Sequence, residues 1–191
     1  MSKIKKYIIK VDPSISANSA LHFTTRVKEL LSIDNAWPGY EFEYVGLNQG
    51  YKTSHTPPVD AYDIIITLLS RKIKHKLLEL TGAELADQPS EDGYGNKIDF
   101  DKVELSYTFY NTPTIIVIDD GNWNSAHEKL NIKKEDYESY VILHEVGHAI
   151  GKGHMPIPED ASKPYPIMYQ ATLGLPDISR FRPVPNESDE I

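Results

Sequence analysis

The feature that most constrains this chain lies at residues 144–154, which read His-Glu-Val-Gly-His-Ala-Ile-Gly-Lys-Gly-His. On an α-helix, His144 and His148 lie about 40° apart around the axis and about 6 Å apart along it, so both imidazoles can face one point. Gly151, three residues after His148, can take a positive φ and end the helix sharply. The chain can then double back and bring His154 to the same point. Any fold for this sequence must therefore hold a helix through His148 and leave room beside it for a returning loop.

Three imidazoles suit a zinc ion at about 2.0–2.1 Å from each nitrogen, with a fourth tetrahedral position left open. An open position is the mark of a catalytic ion, because it admits water whose pKa falls towards ~7. Glu145, one step beyond the first histidine, points sideways from the pair and could act as general base without becoming a ligand. Two plainer readings compete: incidental histidines on an ordinary helix, and a zinc ion that serves stability alone. The second has no use for a base, so Glu145 speaks against it. A zinc-stabilised binding or particle-associated module without turnover stands as the alternative function.

Other chemistries are excluded more simply. The chain has no cysteine, which removes disulfides, Cys-ligated metals and thiol nucleophiles. Its formal charge of −8 argues against general binding to nucleic acid or anionic membranes. Met1–Lys10 lacks the apolar core of a secretory leader, and no run approaches the roughly 18 apolar residues of a membrane span. The expected location is cytoplasmic or particle-associated, with leaderless export open. The expected partner is a peptide or protein substrate; the oligomeric state is not legible.

Hydrophobic patterning predicts strands over Ile4–Val11, Glu41–Leu47, Ala61–Leu69 and Pro113–Asp119, with an edge strand within Val103–Tyr110. Helices are expected over Asn18–Ile33, Arg71–Leu80 and Lys133–Ile150. Asn48–Asp60 and Asp87–Lys97 read as loops. Asp119-Asp120-Gly121-Asn122 reads as a turn, with His127 in the loop after it and Trp123 as a core or cleft-wall aromatic. The order implies one α+β domain over residues 1–182, with at least one parallel strand pair. Residues 183–191, with three acids and two prolines, read as a flexible acidic tail.

Fourteen residues after His154 sits Met168, in Tyr165-Pro166-Ile167-Met168-Tyr169-Gln170. With it, the pattern resembles the metzincin clan of zinc endopeptidases, which join an extended histidine motif to a Met-turn. The resemblance implies a zincin domain with a twisted mixed sheet and an active-site helix. It implies His144, His148 and His154 as ligands of one catalytic zinc, Glu145 as general base, Gly151 as the turn and Met168 as the floor of the metal site. Tyr169, directly after the methionine as in matrix metalloproteinases, would line the pocket for the side chain after the scissile bond.

The blocks YVILHEVGHAIGKGH and PIMYQATLGL also look similar to a poorly characterised family of bacterial exported metzincin-like peptidases. Those relatives carry a leader and cysteines, and this chain carries neither. Gln170 stands where some metzincins place a tyrosine, and only 23 residues follow Met168, which leaves little length for the clan's usual final helix.

Overall fold

The computed structural model describes residues 2–34, 36–48, 61–81, 97 and 105–189. In chain order the elements are β1 (Lys3–Val11), α1 (Ala17–Leu31), β2 (Tyr40–Asn48), β3 (Ile64–Leu69), α2 (Arg71–Thr81), β4 (Tyr107–Phe109), β5 (Thr114–Asp119), α3 (Asp120–Leu130) and α4 (Lys134–Ala149). The strands form one sheet in the order β2-β1-β3-β5-β4. Three of the pairings are parallel, and β4 alone runs antiparallel, against β5. The architecture is therefore mixed α/β with a mostly parallel sheet, more parallel than an α+β reading anticipates. The reason is the strand–helix–strand connection, whose crossover returns the chain in the same direction.

β3 reads IIITLL and is buried along nearly its whole length. A central parallel strand is covered on both faces, so its side chains are apolar in succession rather than alternately. Ile9, Ile64, Ile66, Leu68, Ile116 and Ile118 project into the main core. Ile8, Ile65 and Tyr62 form a smaller apolar cluster of their own. The β1–β2 register slips at Tyr7/Ile8, where a bulge adds a residue to the β2 side. No helix among the described residues is long and apolar enough to cross a membrane.

α1 is capped by Ser16, whose Oγ accepts from the Ser19 N–H at 3.2 Å. Phe23, Val27, Leu30 and Leu31 form its buried stripe, whereas Leu21 is 67% exposed. The stretch expected as a turn after Asp119 is instead the start of α3. Asp119 Oδ1 accepts from the Asn122 N–H at 2.8 Å, and Trp123 and Ala126 bury one face of the helix. His127 accordingly lies on a helix rather than in a loop. Asn131, in the left-handed region at φ 53°, ends it.

α4 is buried from Tyr137 through Gly147, packed against α3, β5, β4 and α1. Its one deeply buried acid outside the histidine motif, Glu138, is met by His22 at 2.7 Å and by Arg26 and Lys134 at 3.7 and 3.9 Å. Lys74 of α2 and Asp119, both fully buried, pair at 2.5 Å. Lys74 also donates to the Leu105 carbonyl at 3.3 Å, just before β4.

Of the stretch expected as a flexible tail, residues 183–189 are described, and they are docked rather than free. Asn186 Nδ2 donates to the Tyr165 carbonyl at 3.0 Å and Ser188 Oγ to the Pro164 carbonyl at 2.8 Å. Asp189 is only 7% exposed. Asp189 satisfies backbone donors, a role that composition does not reveal. The expected loops at 49–60 and 87–96, and the first residues of the strand expected over Val103–Tyr110, lie outside the described residues.

Candidate metal centre

α4 delivers His144, Glu145 and His148 near its end. The helix stops at Ile150, and Gly151 follows with φ +94°. A side chain at Gly151 would meet nothing within 4 Å, so the demand for glycine there comes from the backbone angle and not from space. The Lys152 N–H donates to the Gly147 carbonyl at 2.9 Å, which folds the chain back over the last turn. His154 thereby rejoins the two helical histidines. One ring nitrogen from each of the three lies within 4.8 Å of the others, and His148 Nε2 and His154 Nε2 are 3.1 Å apart.

Two hydrogen bonds decide which nitrogens face inward. His144 Nδ1 donates to the Ile167 carbonyl at 2.8 Å, and His148 Nδ1 donates to the Lys152 carbonyl at 2.8 Å. A carbonyl only accepts, so each Nδ1 carries the proton and each Nε2 keeps its lone pair. Burial holds His144 well below the ordinary imidazole range, with the neighbouring His148 adding to the effect. Burial also lowers His148. Both rings are thus neutral at neutral pH, the form in which histidine binds a metal. Three lone-pair donors at this separation could hold a metal ion.

Glu145 is buried, and burial pushes its carboxyl up to about 7. A hydrogen bond from Thr108 Oγ1 to Oε2, at 2.7 Å, opposes that rise. Thr108 lies in the middle of β4, the short edge strand paired to β5 through Thr108 and Ile116. The edge strand therefore touches the candidate base directly. Sequence reasoning missed Thr108, because a contact across 37 positions leaves no local pattern to read.

Met168 is fully buried and sits under the helix between the turns that carry His144 and His148. A Cβ placed on Gly147 would collide with Met168 Sδ and would lie 2.7 Å from Trp37 Cζ2. Gly147 is thus a point of close approach between α4 and the segment below it, a second role that the motif spacing does not disclose. Trp37 is itself fixed by its Nε1–H, which donates to the Leu143 carbonyl at 2.9 Å. Tyr140 adds a further tie: its hydroxyl donates to the Tyr169 carbonyl at 2.9 Å and accepts from the Ala171 N–H at 2.8 Å. The Tyr169 ring is half-buried, 5.1 Å from that of Tyr165. Arg180 secures the loop between His154 and Tyr165 by donating to the carbonyls of Pro158, Asp160 and Lys163.

The structure thus gathers His144, His148 and His154 at one point, with Glu145, Gly151 and Met168 around them. Residues 2–189 match the family described as "Protein of unknown function (DUF3152)". No curated protein matches the chain. Among solved structures, that of a zinc-dependent peptidase from Methanocorpusculum labreanum (strain Z) is 12% identical, with a TM-score of 0.38; 95% of this chain and 96% of that one are covered. A likeness of that size leaves the chemistry to be argued from the residues themselves.

Proposed function

We propose that this chain, which belongs to the DUF3152 family, is a zinc-dependent endopeptidase of metzincin type. The observation that carries the reading is the meeting of three imidazoles beside a buried carboxylate on the same helix. The donor set fits zinc. Two of the rings commit Nδ1 to a carbonyl and present Nε2. The group among the described residues is three histidines, and a zinc ion held by three imidazoles would keep a position for water and substrate. When bound, zinc supplies Lewis acidity, lowering the pKa of a water towards ~7 and polarising a substrate carbonyl.

The protein's own groups do the rest. Glu145 takes a proton from the attacking water and returns it to the departing amine. Thr108, donating to one carboxylate oxygen, holds the base in place and leaves the other oxygen for water. An extended peptide adds to the edge of the sheet along β4, gaining main-chain hydrogen bonds with little demand on its sequence. Gly151 makes the turn that returns His154. Met168 forms the floor of the site as a Met-turn, a role supported by its full burial against Gly147. Tyr169 lines the pocket for the side chain after the scissile bond.

The test compares the wild type with Glu145→Ala for zinc content and for digestion of a peptide library. The variant should keep about one zinc per chain, and its cleavage should fall by at least about 10²-fold, the usual contribution of a general base. Equal cleavage by both proteins removes the catalytic assignment. Zinc binding with no cleavage by the wild type favours the module without turnover.

A further inference from the structure

The proline-rich segment below the helix is wired to the metal ligands through its backbone. The Ile167 carbonyl accepts from His144 Nδ1 at 2.8 Å. The next carbonyl, that of Met168, accepts from the Met155 N–H at 3.1 Å, one residue beyond His154. Two adjacent carbonyls therefore orient the segments that carry two of the three histidines. A shift of this dipeptide moves both.

The opposite edge of the same dipeptide is held by one side chain. Asp189 Oδ1 accepts from the Met168 N–H at 3.5 Å. That N–H belongs to the same peptide group as the Ile167 carbonyl, the acceptor of His144 Nδ1. Asp189 Oδ2 accepts from the Asn186 N–H at 2.9 Å, which closes the local turn around it. A carboxylate only 7% exposed is costly unless its oxygens are satisfied, and here backbone amides satisfy them. Each amide that donates to a charged acceptor polarises its own peptide group. A chain of such bonds strengthens cooperatively, so a carbonyl joined to it becomes a better acceptor.

Resting on the zinc reading above, we infer that Asp189 is a positioning residue of the metal centre, acting through the Ile167–Met168 peptide on His144 and on the loop that carries His154. The carboxylate anchors the dipeptide, the Ile167 carbonyl fixes the tautomer and tilt of His144, and the Met168 carbonyl fixes the return of His154. Outer partners of this kind are worth about 10–100-fold in metal affinity.

The experiment measures zinc affinity by competition with a chromophoric chelator for wild type, Asp189→Ala, Asp189→Asn and Ser188→Ala. The absorption spectrum of the cobalt(II) forms serves as a second readout of coordination geometry. Asp189→Ala should bind zinc about 10–100-fold more weakly and shift the cobalt spectrum. Asp189→Asn keeps the shape and one acceptor oxygen, and should fall between Ala and wild type. Ser188→Ala loses the bond to the Pro164 carbonyl but leaves the Met168 amide untouched, so it should bind zinc like wild type. Wild-type affinity and spectrum in folded Asp189→Ala overturn the inference. Equal weakening in Ser188→Ala also overturns it, because docking alone would then explain the effect. Should Asp189→Ala not fold, Asp189→Asn decides, and unchanged affinity there has the same force. A wild-type chain that takes up no zinc overturns the zinc reading itself, and this inference with it.

Discussion

Replacing Gly147 by alanine sets two effects of opposite sign against each other. Alanine is the better helix former by about 1 kcal/mol, so in an open helix the change would stabilise. Here the new methyl would run into Met168 Sδ and come within 2.7 Å of Trp37 Cζ2 and 3.3 Å of Cη2. Neither neighbour can yield freely. Met168 is fully buried and Trp37 is 2% exposed, and the indole is tied to the Leu143 carbonyl one turn up the helix. Overpacking of this kind costs about 1–3 kcal/mol, and two enclosed side chains place it in the upper half of that range. The net loss is about 1–2 kcal/mol. At about 2–4 °C per kcal/mol for a chain of this size, the melting temperature of Gly147→Ala should drop by about 2–8 °C. Gly153→Ala is the control, since a Cβ there meets nothing within 4 Å and its change should be close to zero. Differential scanning calorimetry of both variants in chelator isolates the packing term from metal binding. A Gly147→Ala protein as stable as wild type, or more so, would refute the claim that Met168 closes on the helix at this point.

Three other expectations concern the site and its support. Thr108→Val removes the hydroxyl that donates to Glu145 Oε2, a bond that favours the ionised carboxylate. Peptide cleavage should fall about 10-fold, and the acid limb of its pH profile should move to higher pH; an unmoved limb separates Thr108 from the base. In chelator, the lowered His144 and His148 make the folded state bind fewer protons than the unfolded one, so they favour folding above pH ~6.5 and lose that benefit as pH falls below it. Glu145, raised to about 7 from 4.5, works the other way over that window, so stability melts should use Glu145→Gln. A melting temperature of that variant that does not decline below pH ~6.5 contradicts the buried, neutral histidines. Lys74→Met strands the fully buried Asp119 carboxylate and should cost about 3–5 kcal/mol in a denaturant titration; a loss below ~1 kcal/mol would mean that the pair is dispensable.

The sequence announced α4 and its histidine-bearing side because both are local: four-residue spacing on a helix and a glycine that permits a return are written in consecutive residues. β3 and β5 were legible for a similar reason, as short apolar runs too short for helices. α3 was not. Asp120, Gly121, Asn122, Asn124 and Ser125 are poor helix formers, and the helix exists because Asp119 caps it and Trp123 and Ala126 bury a face against the core. Thr108 and Gly147 were missed for a different reason, since each acquires its role from a segment distant in the chain. The docked residues 186–189 show the same limit: a run of acids and prolines has the composition of solvated chain, and only the distant Tyr165 and Pro164 carbonyls and the Met168 amide give it partners.

The two margins of the sheet are unlike. β2 carries the bulge opposite Tyr7 and Ile8, and its Glu41 and Glu43 are exposed. Bulges and charges of that sort frustrate edge-to-edge stacking between copies, which is how β-proteins avoid fibrils. β4 has only three residues and carries no acid. Self-association through the long border is thus discouraged, while the short border, the one an added strand would use under the proposed function, carries neither device.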